Sequence, residues 1–363
     1  MIIVMEKGAP LDQIERIIEE VQALGYIPHP IIGTDRTVVA AVGDERGKER
    51  IFQLDSLPGV EKVLRILQPY KLASAETHPE RTIVDVGGVK VGGKDLAIMA
   101  GPCAVENEKQ IMESAEIAKV CGAQFLRGGA FKPRTSPYSF QGLGEEGLKL
   151  LAKAKRKTGL KIVTEIMEIQ QLPLMEKYVD VIQIGTRNMS NFSLLQVVGK
   201  SKKPILLKRG MMATIKEFLM AAEYIMSQGN YNVILCERGI RTFETETRNT
   251  LDLNAVAVIK RQSHLPIIVD PSHATGRRDI VESMSMASIA AGADGLILEM
   301  HPHPGEAVSD GAQSLYPEDL KRLVNKLKKL APVIGKSVSK ETITPPKAKP
   351  KKPKRAAKKS KKS

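Results

Sequence analysis

The chain has 363 residues, of which 42% are hydrophobic and 26% are charged, and its formal net charge is +14. It has no Trp and only 4% aromatic residues, which argues against a surface that stacks nucleic-acid bases. The three Cys show no disulfide spacing, and Glu6 and Lys7 cut the first apolar run short. No uncharged apolar stretch is long enough to cross a bilayer. These features predict a cytoplasmic protein without a signal peptide.

Most of the positive charge lies near the C-terminus. From Lys336 onward there are eleven Lys, one Arg and one Glu, so this segment carries +11 and the rest of the chain +3. Residues 333–363 are predicted to form a disordered Lys-rich tail, because they lack apolar periodicity. Such a tail can bind polyanions weakly, and the alternative is a solvated extension with no dedicated partner. Salt-dependent retention on an anionic resin, with and without the tail, distinguishes the two.

The first 70 residues predict a small α/β unit. Residues 2–5 read as a strand, and apolar residues then recur at helical spacing over 11–21. Two strands (26–32 and 37–42), a second helix (47–57) and a last strand (59–67) follow. The order βαββαβ indicates a ferredoxin-like domain over 1–70, a fold that often serves as a regulatory module. Residues 71–94 are predicted to be a linker with a short β-hairpin.

Residues 95–332 alternate strand and helix eight times. The predicted strands are LAIMA, AQFLRG, KIVTE, VDVIQIG, PILLKRG, YNVILCERG, PIIVDPS and DGLILE, and helical patterns include 107–120, 145–157, 214–227, 249–260 and 316–330. Eight such units predict a (β/α)₈ TIM barrel, with its active site at the C-terminal ends of the strands. A doubly wound sheet fits less well, because no GxGxxG follows the first strand.

Four residues with metal-binding side chains fall at that predicted end of the barrel. Cys103, His273 and Glu299 stand at or just after the ends of strands, and Asp310 lies in the next loop. Each has an ordinary alternative: a buried structural thiol, a helix cap, or loop carboxylates. A thiolate, an imidazole and two carboxylates on one face nevertheless form a plausible site for a divalent metal such as manganese, iron or zinc. Cys121 and Cys236 fit a buried core better.

Cations accompany these four residues. They stand at or beyond strand ends, and they are Arg127, Lys132, Arg134, Arg187, Lys208 and Arg238. Thr135 and Ser136 add hydroxyl groups in the loop after the second barrel strand. A Lys inside the apolar run PILLK is costly to bury without an anionic partner. The set predicts an enzyme for small molecules that carry phosphate or carboxylate groups.

Seven segments, GPCAVE, LRGGAFKPRTSPYSFQG, IQIGTRN, LLKRG, ILCERGIRTFE, VDPSHATGRRD and LILE…SDG, resemble 3-deoxy-D-arabino-heptulosonate-7-phosphate (DAHP) synthase. The similarity is to the type I subgroup with an N-terminal ferredoxin-like regulatory domain, and it covers residues 1 to about 332. The resemblance implies a transferase that condenses phosphoenolpyruvate with erythrose 4-phosphate at the start of the shikimate pathway to chorismate and the aromatic amino acids. The alternative enzyme is an octulosonate-type synthase, which uses arabinose 5-phosphate as the acceptor.

The resemblance also implies roles for individual residues. Cys103, His273, Glu299 and Asp310 would hold the metal, and Lys132 would act with Cys103 and His273 in catalysis. Phosphoenolpyruvate would bind through its phosphate to Arg187 and Arg238, near Lys132, and through its carboxylate to Arg127 and Lys208. Arg134 and Thr135 would bind the phosphate of erythrose 4-phosphate, with Ser136 beside them, and Glu165 and Asp270 would lie around the reacting centre.

Regulation is a further implication of the resemblance. Relatives with this N-terminal domain are commonly inhibited by tyrosine or phenylalanine, bound where regulatory domains of neighbouring subunits meet, and they are typically tetramers. His29 lies near the expected effector contact. Ile31 is apolar where tyrosine-sensitive relatives have a hydroxyl side chain, which argues against tyrosine and leaves phenylalanine as the other option. The alternative is a domain that only stabilises the oligomer. Deletion of 1–70 should remove inhibition and leave catalysis.

Overall fold

The structure, a computed structural model, describes residues 1–33, 36–43, 49–64, 69–132, 136 and 138–339. The N-terminal domain is a four-stranded antiparallel sheet in the order β2-β3-β1-β4. Its elements are β1 (Ile2–Met5), α1 (Leu11–Ala23), β2 (Ile27–Ile32), β3 (Thr37–Val42), a 3₁₀ helix (Glu49–Ser56) and β4 (Val60–Leu64). The ferredoxin-like prediction is confirmed. The second predicted helix is a 3₁₀ helix, and Ser56 Oγ donates to Gln53 O across its last turn, a local bond typical of tighter turns.

A hairpin closes the N-terminal end of the second domain. It consists of β5 (Val84–Val86) and β6 (Val89–Val91). Its valines share one buried cluster with Met99 and Phe125, which belong to the strands of the second domain. The hairpin therefore covers apolar surface at the end of the barrel opposite to the predicted site.

The second domain is a closed barrel of eight parallel strands, which confirms the predicted TIM barrel. The strands are β7 (Ala97–Gly101), β8 (Phe125–Arg127), β9 (Lys161–Ile166), β10 (Val181–Ile184), β11 (Ile205–Lys208), β12 (Val233–Glu237), β13 (Ile267–Val269) and β14 (Gly295–Glu299). The helices are α2 (Glu108–Cys121), α3 (Glu145–Thr158), α4 (Leu172–Tyr178), α5 (Phe192–Val198), α6 (Ile215–Met226), α7 (Leu253–Gln262), α8 (Pro271–Thr275), α9 (Arg278–Ala290) and α10 (Pro317–Leu330).

Side chains alternate along the barrel strands between two separate cores. In β7, Ala97 and Met99 belong to the interior cluster, whereas Ile98 and Ala100 belong to the larger cluster between strands and helices. This period of two is what a barrel with a filled interior requires. One helix boundary differs from the prediction of 249–260. Because Thr250 pairs with Ile240 in a short antiparallel bridge, α7 begins only after its N-cap Asp252.

The N-terminal domain packs against the barrel. Ala40 of β3 belongs to the same buried cluster as Tyr70 and Leu72 of the linker and the outer barrel residues. His29 Nδ1 lies 2.7 Å from the hydroxyl of Tyr231, just before β12. The buried Glu223 of α6 accepts hydrogen bonds of 2.9 Å from three backbone N–H groups of residues 71–73. One carboxylate thus fixes the start of the linker to the barrel.

A buried histidine holds the next part of the linker. His264 Nε2 donates to Leu72 O at 2.7 Å, because a carbonyl can only accept, and Nδ1 lies 2.6 Å from Thr82 Oγ1. Burial is the largest cause that lowers the pKa of His264 from 6.5 to about 4. The unfolded chain therefore binds a proton at higher pH than the folded chain. The free energy of unfolding is therefore unaffected by titration of this histidine above about pH 6.5, and it decreases as the pH falls from there towards about 4.

We expect this residue to remove about 3 kcal/mol of unfolding free energy across that interval. Replacing it with Gln keeps a donor for Leu72 O but no titration. Urea unfolding of the wild type and of His264→Gln at several pH values should show that the stability advantage of the wild type shrinks as the pH falls. A constant difference between the two proteins would contradict the assignment.

Candidate active site

Three of the predicted metal ligands meet above the barrel. Cys103 follows β7, Glu299 ends β14, and these neighbouring strands pair in register at Glu299 and Gly101. Asp310 returns from the loop after β14. One ligand atom of each of the three lies within 4.8 Å of the others. Cys103 Sγ is 2.9 Å from Asp310 Oδ2, with Cys103 and Glu299 buried.

His273, the fourth predicted ligand, stands against this group. Its Nε2 is 3.3 Å from Glu299 Oε1, and its Nδ1 is 2.7 Å from Asp270 Oδ2. Asp270, not His273, caps α8, because its Oδ1 accepts from the backbone N–H of His273 at 2.9 Å. A carboxylate on Nδ1 is the usual partner of a metal-binding imidazole and leaves Nε2 free to face the ion. The four residue types and their convergence fit a divalent transition metal.

The surroundings of Cys103 and Asp310 shift their pKa values in opposite directions. Burial, with Glu299 nearby, raises the pKa of the Cys103 thiol to about 11, so the thiol is protonated and its S–H faces Asp310. Burial acts to raise the pKa of the Asp310 carboxyl. The hydrogen bond from the Cys103 thiol, with His273 and Arg248 nearby, outweighs burial and holds this pKa well below its usual range. Lys132 Nζ lies 2.8 Å from Cys103 O and 2.9 Å from its Sγ.

Glu299 is held on both of its oxygens. Arg127, itself buried, donates from Nη1 to Glu299 Oε1 and to Pro102 O, each at 2.9 Å. Gln313 Nε2 donates to Glu299 Oε2 at 2.5 Å. These contacts fix the carboxylate before any ligand arrives. Burial acts to raise the pKa of Glu299, but His273 and Arg127 together outweigh it, so that this pKa is lowered.

Five of the six predicted cations line one cleft of about 380 Å³ beside these ligands. Among the described residues its lining includes Arg127, Lys132, Ser136, Glu165, Arg187, Lys208, Arg238, Arg248, His273 and Asp310. The structure therefore brings most of the predicted site residues, which follow different barrel strands, into one cleft. Arg134 and Thr135 lie outside the described residues, as do residues 340–363 of the predicted tail. Residues 333–339, which the sequence assigned to that tail, lie against the barrel, since Ser337 exchanges backbone hydrogen bonds with Lys94 and Leu96.

The cations differ in how well they are already paired. Lys208 bonds to the buried Asp270. Arg187 is exposed, on the short 3₁₀ helix Thr186–Asn188. Arg238 is buried, yet among the described residues its side chain makes one long hydrogen bond, of 3.4 Å to Gly239 O, and its Nε has no partner there. Burial lowers the pKa of Arg238. An anion in the cleft would remove this electrostatic penalty.

Glu165 enters the cleft through a gap that only glycine leaves. A Cβ at Gly185 would lie 1.8 Å from Glu165 Oε1. Gln183 Nε2 holds the other oxygen of this carboxylate at 3.3 Å. The glycine of IQIGTRN therefore leaves room for the Glu165 carboxylate in the cleft that Arg187 also lines.

Two further polar residues at the site were not singled out from the sequence. Arg248 Nη1 is 3.4 Å from Asp310 Oδ1 and 3.2 Å from Gln313 Oε1. Both residues had a detectable signal: Arg248 is a cation in the long loop after β12, and Gln313 follows Asp310 by three positions. The sequence does not reveal the conformation of the loop after β12, which brings Arg248 against Asp310 and Gln313.

The predicted effector residue, His29, lies away from this cleft. His29 is buried on β2, its Nε2 has no hydrogen-bond partner among the described residues, and burial lowers its pKa. All three cysteines are unpaired, and Cys121 and Cys236 are buried as predicted. Within the described residues, no helix has the length and apolar character needed to span a membrane.

Comparison with known proteins gives matches to both domains. Residues 74–335 match the model of the DAHP synthetase I family, and residues 1–68 match that of the DAHP synthase ferredoxin-like domain. The phospho-2-dehydro-3-deoxyheptonate aldolase of Thermotoga maritima is 51% identical over 339 residues, which is 93% of this chain and 100% of the relative. A 2-dehydro-3-deoxyphosphooctonate aldolase of Geobacter sp. strain M21 is 32% identical over 271 residues, covering 69% of this chain and 98% of the relative.

Solved structures agree with these matches. The crystal structure of the Thermotoga maritima DAHP synthase has a TM-score of 0.75 and 50% identity, and covers 93% of this chain and 99% of that one. A truncated form of the 3-deoxy-D-arabino-heptulosonate 7-phosphate synthase from the same organism has a TM-score of 0.70 and 51% identity, and covers 74% of this chain and 99% of that one.

Proposed function

Because the chain belongs to the DAHP synthetase I family, as an enzyme of the DAHP synthase type, we propose that it condenses phosphoenolpyruvate with erythrose 4-phosphate and water, giving DAHP and inorganic phosphate. The observation that carries this proposal is the cleft in which a Cys, His, Glu and Asp set adjoins several cations. Two phosphates and a carboxylate need those cations, and an aldehyde needs an electrophilic partner.

The pairing state of the cations supports specific binding roles. Arg238 and Arg187 are the best candidates for the phosphate of phosphoenolpyruvate, because Arg238 is buried without a carboxylate partner and Arg187 is exposed to the cleft. Lys208 and Arg127, which already face carboxylates, would share the substrate carboxylate. Arg134 and Thr135 would bind the phosphate of erythrose 4-phosphate, with Ser136 at the rim. These anions would be held by bidentate and charge-assisted hydrogen bonds.

Cys103, His273, Glu299 and Asp310 would hold a divalent metal. When bound, such an ion supplies Lewis-acid polarisation of an aldehyde oxygen. The chain's own residues prepare that site: Asp270 orients the His273 ring through Nδ1, and Arg127 and Gln313 fix the two oxygens of Glu299. Lys132, whose Nζ contacts Cys103, is the ammonium best placed to donate to an oxygen that gains negative charge beside the thiolate.

The chemistry that follows needs two bond-forming steps. C3 of phosphoenolpyruvate attacks the aldehyde carbon, which makes the new carbon–carbon bond. The aldehyde oxygen then takes a proton, for which Lys132 would be the donor, and becomes a hydroxyl. Water adds at C2, and the resulting hemiketal phosphate breaks its C–O bond to release phosphate and leave the ketone. Glu165, which lines the same cleft, would accept the proton of that water. The cations hold both anions in near-attack geometry, which can supply roughly 7–11 kcal/mol in favourable cases.

The acceptor sugar separates this function from the alternative. Relatives named 2-dehydro-3-deoxyphosphooctonate aldolases are 30–33% identical, so arabinose 5-phosphate is the competing acceptor. We expect metal-stripped protein to consume phosphoenolpyruvate only after manganese is added, and only with erythrose 4-phosphate. Turnover with arabinose 5-phosphate alone would favour the octulosonate-type reaction. No turnover with either sugar would contradict both.

Regulation through the N-terminal domain is part of the proposal, with tyrosine or phenylalanine as inhibitor at or near His29. In the structure Nδ1 of His29 lies 2.7 Å from the Tyr231 hydroxyl, so an effector that binds through Nδ1 must displace that hydroxyl. We expect His29→Ala to abolish inhibition. Tyr231→Phe should lower the inhibitory concentration about fivefold, because one hydrogen bond of about 1 kcal/mol no longer competes.

Initial rates with each amino acid test this prediction. Unchanged inhibition of His29→Ala would place the effector site elsewhere, and a domain that only supports the oligomer, which we expect to be a tetramer, would then be the better account.

A further inference from the structure

Arg248 and Gln313 form a chain of contacts that ends on two of the four proposed metal ligands. One nitrogen of Arg248, Nη1, faces Asp310 Oδ1 at 3.4 Å and Gln313 Oε1 at 3.2 Å. The amide of Gln313 then donates from Nε2 to Glu299 Oε2 at 2.5 Å. A single guanidinium thus contacts one carboxylate directly and the other through one amide.

The charges on either side determine the orientation of that amide. If the amide of Gln313 were reversed, its NH₂ group would face the guanidinium and its oxygen would face the carboxylate of Glu299. Both contacts would be repulsive, because a guanidinium only donates and a carboxylate only accepts. Arg248 therefore selects the rotamer in which Gln313 holds Glu299.

The backbone around Arg248 is built onto the same site. Its N–H donates to Thr275 O at 2.9 Å, and the next residue, Asn249, donates from Nδ2 to His273 O at 3.2 Å. Gly276 allows this approach, because a Cβ there would lie 2.7 Å from Arg248 Cβ, and its φ of +68° also favours glycine. The segment after β12 thus touches the α8 turn that carries His273.

We propose that Arg248 and Gln313 are positioning residues for the metal site: they hold Glu299 and Asp310 at the separation that a cation requires. This inference rests on the proposed function, because it assumes that the four ligands bind a divalent metal. Two carboxylates this close to one another repel each other before the cation arrives. The relay of contacts from Arg248 through Gln313 opposes that repulsion, because it places a positive charge and an amide donor on the two carboxylates. The same loop begins with Arg238, so substrate binding and ligand geometry share one segment.

Metal affinity, measured without substrates, tests the relay. Metal-stripped full-length protein is titrated with Co²⁺, following the thiolate-to-cobalt absorption that Cys103 would produce. Gln313→Met and Arg248→Gln should bind Co²⁺ about 10–100-fold more weakly than the wild type. Arg248→Lys should recover part of the loss, because it keeps a charge near Asp310 without the fixed fork of donors. Thermal unfolding of the metal-stripped proteins confirms that each variant is folded.

Arg277→Gln is the matched control, since Arg277 is exposed to 46%, similar to the 43% of Arg248, and pairs with the nearby Asp279. Its cobalt affinity should equal that of the wild type. If the wild type gives the thiolate band and all variants bind Co²⁺ equally well, the relay is wrong and the proposed metal site stands. If Arg277→Gln weakens binding as much as Arg248→Gln, the loss of any nearby positive charge explains the effect, and the relay is also wrong. If the wild type gives no thiolate band, the proposed metal site itself fails.

Discussion

Cys103→Ser is expected to reduce metal retention strongly and to lower turnover about 1,000-fold, equivalent to about 4 kcal/mol of transition-state stabilisation. The thiol lies at the centre of the ligand group, within hydrogen-bond distance of Asp310 and Lys132. A Ser hydroxyl keeps the size and the hydrogen bonds of this position. It does not offer a soft thiolate, which transition metals such as zinc and iron favour. The loss should therefore appear in metal content before it appears in stability.

The measurement is metal content after dialysis, together with the rate of phosphoenolpyruvate consumption at several manganese concentrations. Cys121→Ser provides the control, because Cys121 is also buried but lies on α2, away from the cleft. Only the Cys103 variant should lose metal, and excess manganese should restore part of its rate. Full activity of Cys103→Ser with unchanged metal content would remove this residue from the site.

The sequence predicted the barrel well because strand order and strand ends follow from local patterns. Apolar runs locate the strands, and parallel strands in a closed barrel bring all their C-terminal ends to one face. Cys103 and Glu299, almost two hundred residues apart, therefore become neighbours once β7 pairs with β14. This topological argument, together with the resemblance, was sufficient to nominate the ligands.

Contacts made by long loops could not be predicted in the same way. The position of Arg248 depends on the Ile240–Thr250 bridge, on Gly276 and on the turn around His273, none of which leaves a periodic signal. The partner of His29 was similarly hidden, because it requires the packing of one domain on another. The sequence can nominate a cation for a cleft, but the pairing of each cation depends on tertiary structure. That pairing is what distinguishes Arg238 from Lys208.

Arg238→Gln is expected to lower kcat/KM for phosphoenolpyruvate by about 100–1,000-fold, because losing one partner of a buried charge pair costs about 2–5 kcal/mol. The effect should fall mainly on KM for phosphoenolpyruvate, with a smaller change in KM for erythrose 4-phosphate. In the protein without substrate, however, Arg238 is a buried cation without a carboxylate partner in the described structure. Its removal should leave the unfolding free energy unchanged or raise it, since burial of an unpaired charge opposes folding.

This opposition between binding and stability separates a phosphate-binding role from a structural one. Phosphoenolpyruvate should stabilise the wild type against thermal unfolding by mass action, by about 2.7 kcal/mol at a concentration of 100 Kd. At the same concentration it should stabilise Arg238→Gln far less. Arg241→Gln, an exposed change in the same loop, should behave like the wild type in both assays. If Arg238→Gln lost stability without ligand and still gained the full stabilisation with it, the guanidinium would be a structural group and the phosphate would bind elsewhere in the cleft.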